Sequence, residues 1–366
     1  MAVRKNILLY PLSIAYGFIT GLRNFLYNSD ILKAKEFNIP VICVGNITVG
    51  GTGKTPHCEF LINLLKNKFR VAFLSRGYKR KTRGFIIATP SSTTKEIGDE
   101  PMQIFMKNPD ILVAVDGNRI RGIKNILSQK PDTEVIILDD GFQHRKLKPG
   151  LSILLTDYNR PMNHDHLLPF GELRESIKNI YRADIIIISK CPDDITPIQR
   201  RIVQREIKKA PYQNLFFTSI SYDNPLPVFN ADSDSSLLFS PDKSKKYLNV
   251  LLVTGIADPE PLAKYLNNKF KEVKHLCFPD HHTYSKKDIS RIEEAFRNLP
   301  PGEKIILTTE KDAVRLKEMF NIVPDELRAF FYYIPVRINF LNNNEKDFNN
   351  LIINYVGKNK RNNRFS

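Results

Sequence analysis

Short apolar runs recur along the chain, and this recurrence constrains its fold more than any other feature. The runs are PVICVG, RVAFLS, ILVAV, EVIILDD, LSILLTD and DIIIISK, and helix-like segments fill the gaps between them. Buried strands of a parallel sheet are covered on both faces and therefore read as continuous Val, Ile and Leu runs. The pattern predicts an α/β fold with a doubly wound, mainly parallel sheet.

A glycine loop connects the first of these runs to a helix-like segment, FLINLL. Its sequence, NITVGGTGKTP, predicts a P-loop that binds a nucleotide through Gly50, Gly51, Thr52, Gly53, Lys54, Thr55 and Pro56. Backbone N–H groups of such a loop surround phosphate oxygens, its lysine reaches the β and γ phosphates, and its last hydroxyl ligates Mg²⁺. The usual leading glycine is Thr48 here, and we expect the Gly50-Gly51 pair to supply the missing flexibility.

Two carboxylates follow the run EVIIL, at the end of a predicted strand. Asp139 and Asp140 occupy the place where an acidic residue of a P-loop protein approaches the metal ion. Adjacent carboxylates repel each other unless cations neutralise them, so we predict that both are Mg²⁺ ligands. The alternative is a simple turn, because Asp-Gly is a common turn pair.

The length of the chain and a change of composition predict a second lobe. A chain of 366 residues exceeds what one hydrophobic core usually organises. Residues 222–246 are rich in Asp, Ser, Asn and Pro and resemble a linker, after which strands and helices alternate again. We therefore expect an apolar N-terminal helix within residues 1–30, a P-loop nucleotide-binding core over residues 31–225 and a smaller α/β lobe over residues 226–366.

Residues 7–27 are unusually apolar for the start of a soluble protein. The stretch contains Pro11 and Arg23 and is borderline for a transmembrane span, so we predict a helix that lies on a membrane surface. A helix packed on the protein's own core and a cleaved signal peptide are the alternatives. The 55 Lys and Arg residues against 39 Asp and Glu give a net charge of +16, which favours anionic partners such as a membrane surface.

A series of motifs occurs along the chain in the order VGNITVGGTGKTP, SRGY, GDEP, DDGFQH, LLPFGELRE, FPDHH and TEKDAV. Their combination resembles the tetraacyldisaccharide 4'-kinase family over about residues 1–316. The resemblance implies a kinase that uses ATP and Mg²⁺ to phosphorylate the 4'-hydroxyl of a tetraacylated glucosamine disaccharide 1-phosphate in lipid A biosynthesis. It also implies a peripheral protein at the cytoplasmic face of the inner membrane. No sequence feature indicates an obligate protein partner.

Matching motifs give individual residues a predicted role. Asp99 of GDEP would accept the proton of the attacking hydroxyl, Glu100 would help to hold Mg²⁺, and His281 of FPDHH would work with Asp99. Which of Asp99 and His281 takes the proton stays open, and a helix cap and a structural histidine are the alternatives. We expect the two to act as one unit, although the predicted linker puts them in different lobes. No further ligand stands at zinc spacing from the histidine pair.

Anionic groups of the substrate favour arginine, because a guanidinium binds phosphate oxygens in a bidentate manner. The residues predicted to line the substrate site are Arg76, Arg119, Arg121, Glu172 and Arg174. Arg119 and Arg121 are two positions apart, so on a helix they would not share a face. We therefore expect only some of these arginines to contact the ligand.

Two other classes of P-loop protein compete with the kinase interpretation. A switch ATPase with a deviant Walker A loop usually carries a lysine just before the two glycines, where this chain has Val49. A nucleic-acid-dependent ATPase would suit the positive charge, but the sequence has no run of aromatic and basic residues that would stack on bases. We therefore expect no nucleic-acid partner and retain the switch ATPase as the alternative function.

Overall fold

The computed structural model describes residues 7–229 and 248–362. These residues divide into two compact units, each with its own sheet. The first unit comprises residues 7–90, 104–220 and 338–362, and the second comprises residues 91–103, 221–229 and 248–337. Both units are discontinuous in sequence, whereas the predicted boundaries assumed contiguous lobes. Most of the predicted linker, residues 230–246, lies outside the described residues.

Strands and helices alternate along the described residues. The strands are β1 (Val41–Asn46), β2 (Val71–Ser75), β3 (Ile86–Ile87), β4 (Leu112–Val115), β5 (Val135–Asp139), β6 (Leu151–Asp157), β7 (Ile185–Ser189), β8 (Asn214–Tyr222), β9 (Leu226–Pro227), β10 (Asn249–Thr254), β11 (Glu272–Cys277), β12 (Lys304–Thr309), β13 (Phe331–Ile334) and β14 (Val336–Phe340). The helices are α1 (Tyr10–Asn28), α2 (Lys54–Leu65), α3 (Thr94–Ile97), α4 (Asp99–Lys107), α5 (Arg119–Gln129), α6 (Pro197–Ile207), α7 (Glu260–Asn267), α8 (Lys286–Arg297), α9 (Glu310–Lys317), α10 (Asp325–Arg328) and α11 (Glu345–Asn362). Each apolar run used for the fold prediction contains one strand.

The sheet of the first unit places the P-loop strand near its centre. Its strand order is β14-β8-β7-β6-β1-β5-β2-β4-β3. The pairings from β8 to β4 are parallel, and β3 runs antiparallel to β4. All residues of β1, β5 and β6 are buried, as expected for strands covered on both faces. The predicted doubly wound, mainly parallel fold is confirmed.

The order of these strands determines where the loops meet. Strand β1 pairs with β5 on one side and with β6 on the other. The carboxyl ends of parallel strands lie at the same edge of a sheet, and ligands of open α/β sheets bind there. The P-loop after β1, the carboxylates at the end of β5 and the loop after β6 therefore come together.

The second unit contains a smaller sheet with the order β11-β10-β12-β13-β9. Strands β10 to β13 are parallel, and β9 runs antiparallel to β13. Its core joins apolar side chains of the sheet to those of α8 and α9, including Leu251, Ile292, Ile306 and Leu316. A second α/β sheet after the predicted linker was expected from the sequence.

Residues 91–103 belong to the second unit although they precede most of the first unit's strands. The backbone N–H of Thr94 donates a hydrogen bond of 2.5 Å to the Glu318 carboxylate, and Gln103 Nε2 donates one of 3.0 Å to Glu310. Both acceptors lie on or beside α9. These long-range polar contacts attach the segment to the second unit. No local pattern in the sequence indicates them.

Helix α1 contacts the first unit through polar side chains and exposes apolar ones. Ser13, Tyr16 and Asn24 donate hydrogen bonds of 2.6, 2.8 and 3.0 Å to the segment 165–175. The large apolar side chains exposed on this helix and the turn before it include Ile7, Leu8, Leu12, Ile14, Phe18, Ile19, Leu22 and Phe25. None of the helices in the described residues combines the length and apolar composition that crossing a bilayer requires.

Candidate active site

The P-loop leaves the carboxyl end of β1 and leads directly into α2. Gly50 and Gly53 have φ angles of 97° and 84°, which side-chain-bearing residues rarely adopt, so glycine is required at both positions. Gly53 is the N-cap of α2, whose first residues are Lys54, Thr55 and Pro56. A helix N-terminus carries partial positive charge and unpaired N–H groups, which suits it to bind phosphate.

Lys54 and Arg174 share one carboxylate at the carboxyl end of the sheet. Lys54 Nζ lies 3.4 Å from Asp140 Oδ1 and donates a hydrogen bond of 3.2 Å to Asn46 Oδ1. Arg174 Nη1 lies 2.9 Å from Asp140 Oδ2 and 3.1 Å from Oδ1. Burial raises the pKa of Asp140, but Lys54 and Arg174 outweigh this effect and leave it below its ordinary value. The carboxylate therefore stays ionised and holds both cations beside the loop.

Asp139, the residue before Asp140, is buried at the end of β5. Its Oδ2 accepts a hydrogen bond of 3.0 Å from Ser75 Oγ, at the end of β2. The guanidinium of Arg119 is also buried and donates to the backbone oxygens of Asp116 (2.6 Å) and Asp139 (3.0 Å). Arg119 thus connects the ends of β4 and β5 through hydrogen bonds. This position favours a structural role over the predicted contact with substrate.

Two other residues predicted to bind the substrate, Arg121 and Arg76, lie closer to solvent than Arg119. Arg121 makes two bonds of 2.8 Å to the Asp116 carboxylate, with half of its side chain exposed. Arg76 is exposed just after β2. The two arginines of the VDGNRIRG segment are therefore separated as predicted, one buried and one at the surface.

Glu172 and Arg174 belong to the segment 165–175, which is bonded to the P-loop by its backbone. The Val49 N–H donates to the carbonyl of Glu172 at 2.8 Å, and the Arg174 N–H donates to the carbonyl of Ile47 at 2.7 Å. The Glu172 carboxylate accepts a hydrogen bond of 3.2 Å from Arg160 Nη1. This segment therefore positions Arg174 and also the first residues of the loop.

Asp99 and His281 are hydrogen-bonded in the second unit. His281 Nδ1 lies 2.8 Å from Asp99 Oδ2, which also accepts a bond of 2.5 Å from Arg315 Nη2. Burial raises the pKa of Asp99, but the hydrogen bonds from His281 and Arg315 outweigh it and lower that pKa to about 2. Segment 91–103 groups with the second unit, so the two residues share one unit instead of lying in different ones.

Arg315 and Lys311 support this pair from α9. Arg315 Nη1 donates to Asp312 Oδ1 at 2.9 Å and to the carbonyl of Gly255 at 3.1 Å. Lys311 Nζ lies 2.8 Å from Glu100 Oε1, so the predicted metal ligand Glu100 has a cationic partner in this structure. The TEKDAV motif thus supplies structural and electrostatic support to the GDEP motif.

Comparison with known proteins identifies the family. A family model described as tetraacyldisaccharide-1-P 4'-kinase matches residues 5–356. The chain belongs to this 4'-kinase family. Kinases of the same name from Bacteroides thetaiotaomicron and Phocaeicola vulgatus are 48% and 46% identical, covering 98% and 100% of this chain and 95% and 99% of theirs. A solved structure of LpxK from Aquifex aeolicus in complex with ATP is 32% identical, with a TM-score of 0.72, and the match covers 95% of this chain and 98% of that one.

Membership of the 4'-kinase family decides between the functions considered from the sequence. The predictions of a kinase and of ATP as its nucleotide are confirmed. The switch ATPase is no longer needed as an alternative.

The donor groups of the 4'-kinase site fit Mg²⁺. Among the described residues there is no cluster of three or more His, Cys, Asp or Glu side chains arranged to hold a metal ion. Mg²⁺ does not require such a cage, because it usually takes one or two carboxylates, waters and the phosphates of the nucleotide. The Thr55 hydroxyl at the start of α2 and the ionised Asp140 provide oxygen donors of this kind.

Three residues that contact predicted site residues of their own unit were not predicted from the sequence. Arg315 lies one helical turn after Asp312 on α9, and the TEKDAVR spacing could have indicated their contact. His57 follows the P-loop directly, and its ring bonds to the carbonyl of Gly53 at 2.7 Å. Arg160 lies outside every motif, so no signal in the sequence pointed to it.

Proposed function

We propose that this kinase transfers the γ-phosphate of ATP to the 4'-hydroxyl of a tetraacyldisaccharide 1-phosphate, a step of lipid A biosynthesis, at a membrane surface. The match of the 4'-kinase family over residues 5–356 carries the proposal. In the transfer, the hydroxyl loses its proton, its oxygen forms a bond to Pγ, and the bond from Pγ to the bridging oxygen breaks and releases ADP. The residues of the chain must therefore hold the phosphates, accept a proton and bind the lipid.

The P-loop holds the phosphates. Gly50, Gly51, Thr52 and Gly53 offer backbone N–H groups, and Lys54 exchanges Asp140 for the β and γ phosphates. When bound, Mg²⁺ neutralises charge on the transferred group. Thr55, Asp139 and Asp140 would ligate it. Glu100 is a further proposed ligand, which would have to leave Lys311.

The Asp99–His281 pair accepts the proton. A carboxylate whose pKa is about 2 is a weak base at neutral pH, because efficient proton acceptors have pKa values near the working pH. The ionised Asp99 instead holds the Nδ1–H of His281 by their 2.8 Å bond. A neutral imidazole oriented in this way carries its acceptor lone pair on Nε2. We therefore assign proton acceptance to His281 Nε2 and orientation to Asp99.

Arg174, Arg121 and Arg76 are the proposed contacts for anionic groups of the substrate. Arg174 is held at Asp140, next to Lys54, and about a quarter of its side chain is exposed. Arg121 and Arg76 lie at the surface. Their guanidinium groups suit the 1-phosphate of the disaccharide. Arg119 is left out of this set because its guanidinium is buried against two carbonyl groups.

The membrane contact is assigned to α1 and to the positive charge of the chain. A substrate with four acyl chains does not leave a bilayer, because each buried methylene contributes about 0.8 kcal/mol. The exposed apolar side chains of α1 would insert into the interface, and the net charge of +16 would attract anionic lipids. These properties support peripheral attachment to a membrane. The proposal places the protein at the cytoplasmic face of the inner membrane, without an obligate protein partner.

The test of this function is incubation with radiolabelled ATP and a detergent-dispersed tetraacyldisaccharide 1-phosphate, followed by separation of the lipids. We expect a lipid that carries one additional phosphate. Lys54→Ala should remove the product, whereas Lys66→Ala, which changes the lysine just after α2, should not. Release of inorganic phosphate from ATP without any labelled lipid would contradict the proposal.

A further inference from the structure

Arg160 lies against the P-loop at the carboxyl end of β6. A Cβ atom built on Gly50 would lie 2.9 Å from Arg160 Nη1 and 3.3 Å from Nη2. The guanidinium therefore lies directly over Gly50, whose φ of 97° favours glycine. Gly50 itself is exposed, as is about 41% of the Arg160 side chain. The position leaves Arg160 accessible to a molecule that binds at the loop.

The charges around Arg160 leave it without a strong partner. Asp157 is buried and already pairs with Lys190 at 2.9 Å, whereas its distance to Arg160 Nη2 is 3.6 Å. The other partner of Arg160 is Glu172, at 3.2 Å, whose side chain is 39% exposed. An exposed ion pair of this kind contributes little to stability, because water screens both charges. An incoming polyphosphate with several negative charges competes readily with such a partner.

Gly50, which lies under Arg160, is connected through Asn46 to the lysine of the loop. The carbonyl of Gly50 accepts a hydrogen bond of 3.4 Å from Asn46 Nδ2, and Oδ1 of the same Asn46 accepts one of 3.2 Å from Lys54. The backbone carbonyl of Glu172 accepts from the N–H of Val49 at 2.8 Å. Arg160 and its partner are thus attached to the same few residues that surround the phosphates.

We propose that Arg160 is a further nucleotide-binding residue, which exchanges Glu172 for an oxygen of the terminal phosphate when ATP binds. The inference rests on the use of ATP by this kinase. A guanidinium suits this contact because it offers two parallel N–H donors to phosphate oxygens. In the absence of nucleotide, Glu172 accepts from Nη1 of Arg160, and Nη2 lies 3.6 Å from Asp157. Glu172 is then a competitor of ATP, and the two side chains have opposite effects on ATP affinity.

The test is equilibrium binding of ATP and ADP, measured by calorimetry without lipid, to Arg160→Ala, Arg160→Lys and Glu172→Gln. Arg160→Ala should weaken ATP binding about 10-fold or more, because one charge-assisted contact is lost, and should affect ADP less. The ATP affinity of Arg160→Lys should lie between those of Arg160→Ala and the parent protein. Glu172→Gln keeps the shape but removes the charge, and it should strengthen ATP binding about 2-fold to 5-fold. The double variant should bind like Arg160→Ala.

Opposite effects of the Arg160 and Glu172 variants on ATP affinity distinguish this proposal from a purely structural ion pair. If the pair only stabilised the loop, both single variants would weaken ATP binding, and that result would overturn the proposal. Unchanged ATP affinity in a folded Arg160→Ala protein would overturn it as well. Arg70→Ala and Glu134→Gln change a surface ion pair of the same unit and control for general effects of charge. Because the measurement needs no acceptor lipid, its outcome is independent of whether the proposed lipid is the substrate.

Discussion

The Asp99 carboxylate in the second unit is contacted by two donor side chains, and its protonation state follows from them. Asp99 is mostly buried, yet its pKa falls to about 2 because His281 and Arg315 donate to the same oxygen. Arg315 is in turn held by Asp312 and by the carbonyl of Gly255. The basicity of the carboxylate is therefore low, which supports the proposal that it orients the histidine.

The first prediction concerns the pair Asp99 and His281. Asp99→Asn and His281→Ala should each lower kcat by about 10²- to 10⁴-fold and leave ATP affinity nearly unchanged, because both act on the proton in the transition state. The double variant should be no worse than the more damaging single one, since groups that act as a unit are not additive. Steady-state kinetics with the lipid acceptor measures all three.

The neighbouring pair His282 and Asp288 provides the control for that experiment. These residues are also hydrogen-bonded, at 3.1 Å, and lie in the same unit. His282→Ala should leave kcat close to that of the parent. Losses that multiply in the Asp99 and His281 double variant would show two independent roles and rule out the proposed unit.

The second prediction concerns His57, which is buried directly below the P-loop. Its ring bonds to the Gly53 carbonyl at 2.7 Å and to Thr218 Oγ1 at 3.1 Å, and burial lowers its pKa to about 4. The unfolded chain therefore binds a proton between the ordinary histidine pKa of about 6.5 and pH 4, while the folded protein does not. Stability from neutral His57 should be complete above about pH 6.5 and be lost as the pH falls towards 4.

Urea unfolding between about pH 7 and pH 4 checks this linkage. For a buried histidine the loss is at most about 1.4 kcal/mol per pH unit. His57→Gln should reduce that slope, whereas the exposed His164→Gln should not change it. A slope that is equal in His57→Gln and in the parent would mean that other groups account for the acid sensitivity.

At the scale of elements, α1 reverses the usual arrangement of a surface helix. Its buried side chains are the polar Ser13 and Asn24, whereas large apolar ones face outward. Asn24 donates to the Glu175 carboxylate, which is fully buried and also accepts from Arg182 at 2.6 Å. A helix of a soluble protein buries its apolar stripe, so this arrangement favours an apolar environment outside the protein.

The third prediction concerns the exposed apolar side of α1. Phe18 is 72% exposed, so Phe18→Glu should lower the fraction of protein bound to vesicles severalfold without changing the unfolding temperature or ATP affinity. Sedimentation with phosphatidylethanolamine and phosphatidylglycerol vesicles measures this binding. Ile198→Glu is the matched control, because Ile198 is an equally exposed apolar residue, 74%, on α6. Equal losses in both variants would show that α1 has no special part in the contact.

At the scale of the whole molecule, the net charge acts over longer distances than any single contact, and the topology brings together segments that are distant in sequence. The net charge of +16 attracts the chain to anionic surfaces in general and does not select one ligand. The two α/β units each assemble from separate segments of sequence. Segment 91–103 thus carries Asp99 and Glu100 into the unit that contains His281 and Lys311.

The fourth prediction separates the charge of the molecule from its helix. Raising NaCl from about 0.05 to about 0.5 M should weaken vesicle binding of the parent protein only in part, because salt screens the net charge but not apolar insertion. The same salt should release Phe18→Glu almost completely. Vesicles without anionic lipid should bind both proteins less at low salt. Complete release of the parent protein by salt alone would assign the contact to charge and not to α1.

Much of the fold and part of the site could be predicted because their signals are local. The apolar runs became strands because a strand buried on both faces needs apolar residues at every position. The NITVGGTGKTP loop requires glycine where φ is positive and a lysine at the start of the following helix, so its neighbours in sequence define it. The same holds for the carboxylates Asp139 and Asp140, the last residue of a strand and the residue after it.

The sequence by itself therefore determined the fold class, the P-loop and the family, whereas the tertiary structure decided which side chains meet. Asp99 lies 182 positions from His281 and 216 from Arg315, and the burial of Arg119 and the position of Arg160 over Gly50 depend likewise on distant strands. The physical reason is that a loop or helix pattern depends on residues a few positions apart. Contacts between distant segments instead depend on strand order and on packing, which one-dimensional spacing does not contain.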